Sequence, residues 1–414
     1  MSDRSFSLQQ QRTLFLIASG LSTAGSFAGL TAKGWILMSG TQNAMLLALH
    51  FAALSLPTLL VSGPAGVRTD RLGCERVLVQ AQWALLGAGL LAAMAIPLLS
   101  GQAQVLILLL STLLMGIASS YELTARNKYC ALLVDEPRQL APYLTSFSVV
   151  FNVGKLVGPP LGGWLVALTG PATALSLDAL SYLLPIASVI WLLNPNRALE
   201  QRSTQAGTTS LQSAWRDCGP ILRHALKFTA LICVVGFFHP GLAPLIAAKT
   251  LGESPQDLGL FTSVLAAGSI AGGIVLQRNS HRFSRLPAMT LGCFGLITAL
   301  AQLGMASSKA IGWVLAMAFL IGAGTAGLLS AANLITQIGT PQVIRGRMAG
   351  LSQIAFLGGG GMSGLISAMI ASTLGLQTTF ATAGGVGLLL ASWEIWRRGG
   401  TVLPEVGTTV PKLQ

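Results

Sequence analysis

The sequence contains little charge. Only 9% of its 414 residues are Asp, Glu, Lys or Arg, whereas 52% are hydrophobic and the mean hydropathy is +0.68. Soluble domains carry about 25% charged residues, so this composition excludes that class. The strand-type alternation of a membrane barrel is also lacking. Because lipid leaves unpaired backbone groups unsatisfied, the chain is predicted to be an all-α integral membrane protein.

Cysteine is scarce as well, and the sequence lacks the usual signs of catalysis. Paired cysteine spacing is missing, so neither a disulfide framework nor a metal site is expected at Cys74, Cys130, Cys218, Cys233 and Cys293. The sequence shows no nucleophile, base and orienter triad and no phosphate-binding loop. We therefore expect no enzymatic activity and no cofactor.

Apolar runs dominate what is present. A helix that crosses a bilayer needs about 20 apolar residues, and twelve stretches meet that length: 14–38, 44–66, 77–99, 103–124, 142–168, 171–193, 221–247, 257–277, 286–306, 310–337, 347–373 and 376–396. They predict a six-helix bundle in 1–193 and another in 221–396. A polar linker at 194–220 would join the bundles, and 397–414 would be a tail.

Basic residues outnumber acidic ones by 25 to 13, which gives a net charge of +12. If the N-terminus is cytoplasmic, only Lys249 and Lys309 fall in outer loops, as the positive-inside rule requires. The basic excess thus predicts a multi-pass orientation with both termini in the cytoplasm. It does not predict nucleic-acid binding, and the expected partner is the lipid bilayer around a monomer.

One polar stretch separates the second and third spans and contains Gly66, Asp70, Arg71, Gly73 and Arg76. Asp70 and Arg71 place opposite charges in a predicted tight turn, and Gly73 would let the chain reverse. The alternative is a solvated loop that only carries positive charge.

The order Gly66-x-x-x-Asp70-Arg71-x-Gly73-x-x-Arg76 resembles the loop between helices two and three of the major facilitator superfamily. This resemblance implies that superfamily's fold of twelve transmembrane helices in two six-helix bundles. It also implies a conformational latch, in which Asp70 meets the start of helix eleven near Arg345 and Arg347. In the second half, Gln277 stands at the place of Asp70, so the latch acid occurs once.

Helix five carries a second signature, Gly158-Pro159-x-x-Gly162-Gly163. It resembles the helix-five motif of superfamily antiporters, which implies export. A kink that lets a partner helix approach closely is the structural interpretation and applies in either case. Together the motifs resemble the branch that includes the enterobactin exporter and macrolide efflux proteins.

Polar residues inside the spans are candidates for a substrate or proton pathway: Lys33, Glu122, Arg126, Lys155, Asp178, Asn333 and Gln337. Lys33 is expected to extend to the membrane interface, with a cavity position as the alternative. Lys155 and Asp178 either pair in the cavity or face separate interfaces.

Glu122 and Arg126 lie one helical turn apart and are predicted to pair. That pair is either structural or part of a gate. Many proton-driven members of the superfamily carry an Arg early in helix four, where this sequence has Thr112. Coupling would then fall to an acid within a span, Glu122 or Asp178.

The resemblance implies a bacterial inner-membrane exporter that moves a small organic molecule outward by alternating access, in exchange for protons. A siderophore is the preferred cargo, because Lys33 and Lys155 suit an anion and only 7% of residues are aromatic. Multidrug or macrolide efflux is the alternative. A non-transporting membrane sensor or assembly subunit on the same fold is the alternative of another class.

Overall fold

The structure is a computed structural model and describes residues 7–41, 43–133, 137–192, 215–216, 218–236, 242–279, 283, 285–340 and 345–402. Regular secondary structure in these ranges is helical throughout. Two compact units divide the chain: Met1–Gly207 with Gly252–Ser263, and Thr208–Leu251 with Val264–Gln414. The predicted linker 194–220 lies almost wholly outside the described residues, so the predicted bundle boundaries remain a prediction.

The first unit consists mainly of seven helices. They are α1 (Leu8–Thr41), α2 (Ala44–Leu72), α3 (Cys74–Leu98), α4 (Gly101–Leu132), α5 (Pro137–Thr169), α6 (Pro171–Ser181) and α7 (Leu183–Leu192). Helix α1 begins at a capping box: the Ser7 amide donates to Gln10 Oε1 at 3.0 Å, and the Gln10 amide donates to Ser7 Oγ at 3.3 Å. Helix α1 packs against α5 and α6, and α4 packs against α2 and α3.

The second unit contains the remaining helices. They are α8 (Pro220–Leu231), α9 (Ala243–Thr250), α10 (Pro255–Arg278), α11 (Pro287–Ser307), α12 (Ile311–Ile338), α13 (Arg345–Leu374) and α14 (Leu376–Arg398), and α10 begins within the first unit. A π-helical segment, Ile232–Gly236, follows α8. The core of this unit gathers around Ile232, Leu291, Phe294, Leu328 and Ile335.

Three single glycines join consecutive helices. Gly73 stands between α2 and α3, Gly170 between α5 and α6, and Gly375 between α13 and α14, with φ of 85°, 85° and 87°. An L side chain rarely adopts this conformation, so glycine is the residue that allows a one-residue connection. Gly170 and Gly375 precede the last predicted span of each half, which fits the predicted division of the spans into two groups of six.

Within the described residues, each of the twelve predicted spans lies on one or more helices. Among the described residues, seven helices are long and apolar enough to cross a membrane, and three further apolar stretches are shorter: Met45–Thr58, Leu156–Thr169 and Met362–Leu374. One expectation needs correction. The tight turn predicted around Asp70 and Arg71 is the last turn of α2, because the chain stays helical to Leu72 and reverses only at Gly73.

Candidate functional site

The side chain of Lys33 is completely buried in the first unit. From α1, its Nζ donates to Ser111 Oγ at 3.1 Å and approaches Met115 Sδ at 2.9 Å, both on α4. The expectation that Lys33 extends to the membrane interface is therefore wrong. A hydroxyl and a polarisable sulfur on α4 solvate the ammonium inside the protein instead.

Asp178 on α6 is 1% exposed, and among the described residues no hydrogen bond of normal geometry reaches either carboxylate oxygen, although the Tyr182 hydroxyl lies close enough to interact with the carboxyl group. The carboxyl group lies directly against α1, since a Cβ added at Gly29 would collide with Asp178 Oδ2. One turn earlier, a Cβ at Gly25 would come within 2.6 Å of Ser181 Oγ. These glycines let α1 and α6 approach closely, and Lys33 follows one turn after Gly29 on the same face of α1.

Asp178 was also predicted to pair with Lys155. The Lys155 side chain lies outside the described residues, so this pairing stays a prediction. The next turn after Asp178 brings Tyr182, whose hydroxyl accepts a hydrogen bond from Ser26 at 2.9 Å. Tyr182 is buried and thus closes the α1–α6 contact with a satisfied polar group.

The predicted pair of Glu122 and Arg126 is confirmed. Arg126 Nη1 donates to Glu122 Oε1 at 2.9 Å and to Oε2 at 3.0 Å, and the two residues are buried. Gln82 Nε2 approaches Glu122 Oε1 at 3.4 Å, and the Arg126 guanidinium lies 5.1 Å from the centre of the Phe147 ring. A buried pair with this support fixes α4 against α3 and α5.

His50 is a buried polar residue that the sequence reasoning missed. Its ring on α2 is completely buried, with Nδ1 3.0 Å from Thr112 Oγ1 and Nε2 3.4 Å from the Leu30 carbonyl oxygen. A histidine in the middle of an apolar run was the available signal. No local pattern indicates that α1 and α4 supply its neighbours.

The predicted latch is described only in part. Arg71 and Arg76 are exposed, Gly66 lies within α2, and a Cβ added at Gly66 would meet nothing within 4 Å. The side chains of Asp70, Arg345 and Arg347 lie outside the described residues, although Asp70 is in the last turn of α2 and Arg345 begins α13. The latch therefore stays a prediction.

The helix-five motif packs against α1. A Cβ at Gly158 would come within 2.7 Å of the Ala24 carbonyl oxygen, and one at Gly162 within 2.9 Å of Ala28 Cα. Pro159 is half-buried beside Gly158. Gly163 faces Gly259, which lies in the segment Gly252–Ser263 of the first unit. The predicted close helix approach is confirmed, whereas the export direction is not tested by packing.

The polar residues predicted on the tenth span lie on α12. Asn333 is half-buried, and the Gln337 side chain lies outside the described residues. Their neighbour Thr336 accepts a hydrogen bond from Ser352 on α13 at 3.3 Å. This is the interhelical use of such groups, and a role for Asn333 or Gln337 in the pathway remains a prediction.

Comparison with known proteins identifies the family. A family model described as transmembrane secretion effector matches residues 5–403. The chain belongs to this family of major facilitator superfamily transporters. It is therefore a transporter and not an enzyme, and it is a multi-pass integral membrane protein.

The chain is also similar to curated efflux pumps. It is 25% identical over 388 residues to the multidrug efflux pump Tap of Mycolicibacterium fortuitum, covering 89% of this chain and 91% of the pump. It is 23% identical over 384 residues to the pump Tap of Mycobacterium tuberculosis, covering 89% and 88%. These alignments cover most of the length of both proteins.

Solved structures agree on the fold. A D-xylose–proton symporter superposes with a TM-score of 0.76 at 15% identity, covering 96% of this chain and 99% of the symporter. A bacterial homologue of the human lysosomal transporter Spinster superposes with a TM-score of 0.72 at 14% identity, covering 94% and 96%. The predicted major facilitator fold is confirmed.

Proposed function

We propose that this chain exports chemically different organic compounds across the bacterial inner membrane by alternating access, with both termini in the cytoplasm. The observation that carries the proposal is the similarity to multidrug efflux pumps over 89% of this chain. A siderophore cargo, preferred on the sequence alone, has no such support. Its physical argument is also weaker, because the Lys33 ammonium is bound by α4 and is not open to an anion.

We further propose that protons drive this export and that Asp178 carries the proton. Burying a charge without compensating hydrogen bonds of good geometry costs several kcal/mol, and among the described residues none reaches either Asp178 oxygen, with Tyr182 as a polar neighbour of the carboxyl group. A proton on the carboxyl group removes that cost. The tight contact with Gly29 also favours a proton over a bulky cargo as the occupant of this position.

Glu122 is the less favoured acid. Its carboxylate is already neutralised by Arg126 at 2.9 Å, so a proton there would break a buried pair. The positive charge beside Asp178 comes from Lys33, which can change its distance from the carboxyl group when the helices move. Alternating access requires such a change in pairing between states.

Drug resistance of a host that lacks its own major pumps tests the proposal. Cells expressing the wild-type chain should tolerate at least two unrelated compounds, such as ethidium and a macrolide, several-fold better than cells with an empty vector. Siderophore secretion under iron limitation should be unchanged. Unaltered drug tolerance together with raised siderophore secretion would refute the multidrug assignment in favour of a siderophore cargo.

Asp178→Asn tests the coupling site. The variant should reach the membrane at wild-type level but lose proton-driven ethidium transport in everted vesicles, because the amide cannot exchange a proton. Asp257→Asn is the matched control, since Asp257 is partly exposed and bonds only its neighbour Ser254 among the described residues. Proton-driven transport that survives Asp178→Asn would remove Asp178 from the mechanism.

A further inference from the structure

The imidazole of His50 joins three helices around Lys33. From α2, Nε2 faces the Leu30 carbonyl oxygen of α1 at 3.4 Å, and Nδ1 faces Thr112 Oγ1 of α4 at 3.0 Å. His50, Thr112 and Lys33 are all 0% exposed. Both ring nitrogens thus meet a polar atom in a region that water does not reach.

One turn of α4 contacts both Lys33 of α1 and His50 of α2. Ser111 donates its hydroxyl proton to the Leu108 carbonyl oxygen at 2.8 Å, so its oxygen is left to accept from the Lys33 ammonium. The adjacent Thr112 Oγ1 lies 2.9 Å from the Leu108 carbonyl oxygen and 3.0 Å from His50 Nδ1. A neutral imidazole that donates its Nε2–H to the Leu30 carbonyl oxygen has an unprotonated Nδ1, which accepts the hydroxyl proton of Thr112.

We infer that His50 is a positioning residue for proton coupling: it holds the Lys33 ammonium near Asp178. Leu30 lies one turn before Lys33 on α1. Through its contacts with Leu30 and Thr112, the ring therefore connects that turn of α1 to the part of α4 that binds the ammonium. The inference rests on the proposed function, in which Asp178 carries the proton. His50 itself neither contacts the cargo nor carries the transported proton.

Titratable groups on every helix of this region bear on the argument. Helix α1 contributes Lys33, α6 contributes Asp178, and Tyr182 directly follows the end of α6. Helix α4 contributes the pair of Glu122 and Arg126, whose charges cancel at 2.9 Å. Among the described buried groups of α1, α4 and α6, Lys33 is thus the cation whose position affects the charge of Asp178.

A fixed ammonium near the carboxyl group stabilises its ionised form, and releasing the ammonium reduces that stabilisation. A drug that binds the deprotonated transporter should therefore need a higher pH for half-maximal binding after the hydrogen bond between His50 and Thr112 is removed. A nearby opposite charge is worth about 1–3 pH units, and a partial displacement should move the midpoint by about one unit.

Thr112→Val removes the hydrogen bond to His50 with little change in side-chain shape, and Thr112→Ser keeps the hydroxyl as the matched control. The measurement is the pH of half-maximal ethidium binding to purified protein, followed by fluorescence. Thr112→Val and His50→Leu should raise this midpoint by about one pH unit, whereas Thr112→Ser should restore the wild-type value. A residue that only supports the fold would lower the amount of active protein without moving the midpoint.

The outcomes separate this inference from the proposed function. If the wild-type protein binds ethidium with a pH midpoint that Asp178→Asn abolishes, but Thr112→Val and His50→Leu leave the midpoint unchanged, the inference is overturned and the proposed function stands. If the wild-type protein neither binds nor exports ethidium or any other test drug, both fail. His50→Leu that does not fold leaves Thr112→Val to decide.

Discussion

Breaking the buried pair of Glu122 and Arg126 should strongly destabilise the first unit. The side chains are 11% and 7% exposed and meet at 2.9 Å. Replacing Glu122 with Leu, which has a similar volume, leaves the Arg126 guanidinium without its carboxylate. Removing one partner of a buried pair costs about 3–5 kcal/mol.

This free energy converts to a measurable shift in thermal unfolding. For a unit of this size each kcal/mol lowers the Tm by about 2–4 °C, so Glu122→Leu should lower it by roughly 6–20 °C. The assay is thermal unfolding of the detergent-purified protein. An unchanged Tm would refute the conclusion that the pair is buried and mutually dependent.

The double variant Glu122→Leu with Arg126→Met removes both charges. Replacing a whole buried pair with apolar residues is often neutral or stabilising, so most of the lost Tm should return. Ethidium transport by this variant then separates the two roles that the sequence left open. Full transport would make the pair structural, and lost transport at restored Tm would place it in the gate.

Two further predictions concern contacts in each unit. Gly29→Ala should reduce both Tm and ethidium transport, because its Cβ collides with Asp178 and overpacking costs about 1–3 kcal/mol. The control is Gly87→Ala, whose Cβ meets nothing within 4 Å and which should leave both quantities unchanged or slightly improved. Equal losses in the two variants would contradict the α1–α6 contact. His224→Ala should destabilise the second unit by about 1–3 kcal/mol, since it removes the hydrogen-bond partner of the buried Glu394 at 2.9 Å. His224→Gln can still donate a hydrogen bond and should recover most of the lost Tm. A Tm that stays as low as that of His224→Ala would argue against this hydrogen bond.

Much of the fold could be predicted because membrane insertion imposes a strict local rule. A span must be about 20 apolar residues long and helical, so the positions of the helices follow from hydropathy alone. The extent of α2 was harder to predict. Its polar end, Val67–Leu72, reads as a turn in sequence, yet the backbone stays helical because only Gly73 adopts a positive φ.

The candidate site was predictable in its members but not in its pairings. Asp178 and Lys33 are conspicuous charges within apolar runs, and Glu122 and Arg126 are paired by helical spacing. The approach of Asp178 to α1 depends on Gly25 and Gly29, and the position of Lys33 depends on Ser111 and Met115, 78 and 82 residues further along the chain. No local pattern specifies such contacts.

The sequence by itself determined a charge-poor, helical membrane protein, because composition and periodicity act within single helices, and its motifs added the resemblance to a transporter superfamily. Only the tertiary structure decided that Lys33 is buried, that the buried Asp178 lies against Gly29, and that His50 joins α1, α2 and α4. These facts depend on which helix faces pack together. That choice is made by small residues whose effect appears only when a second helix comes close.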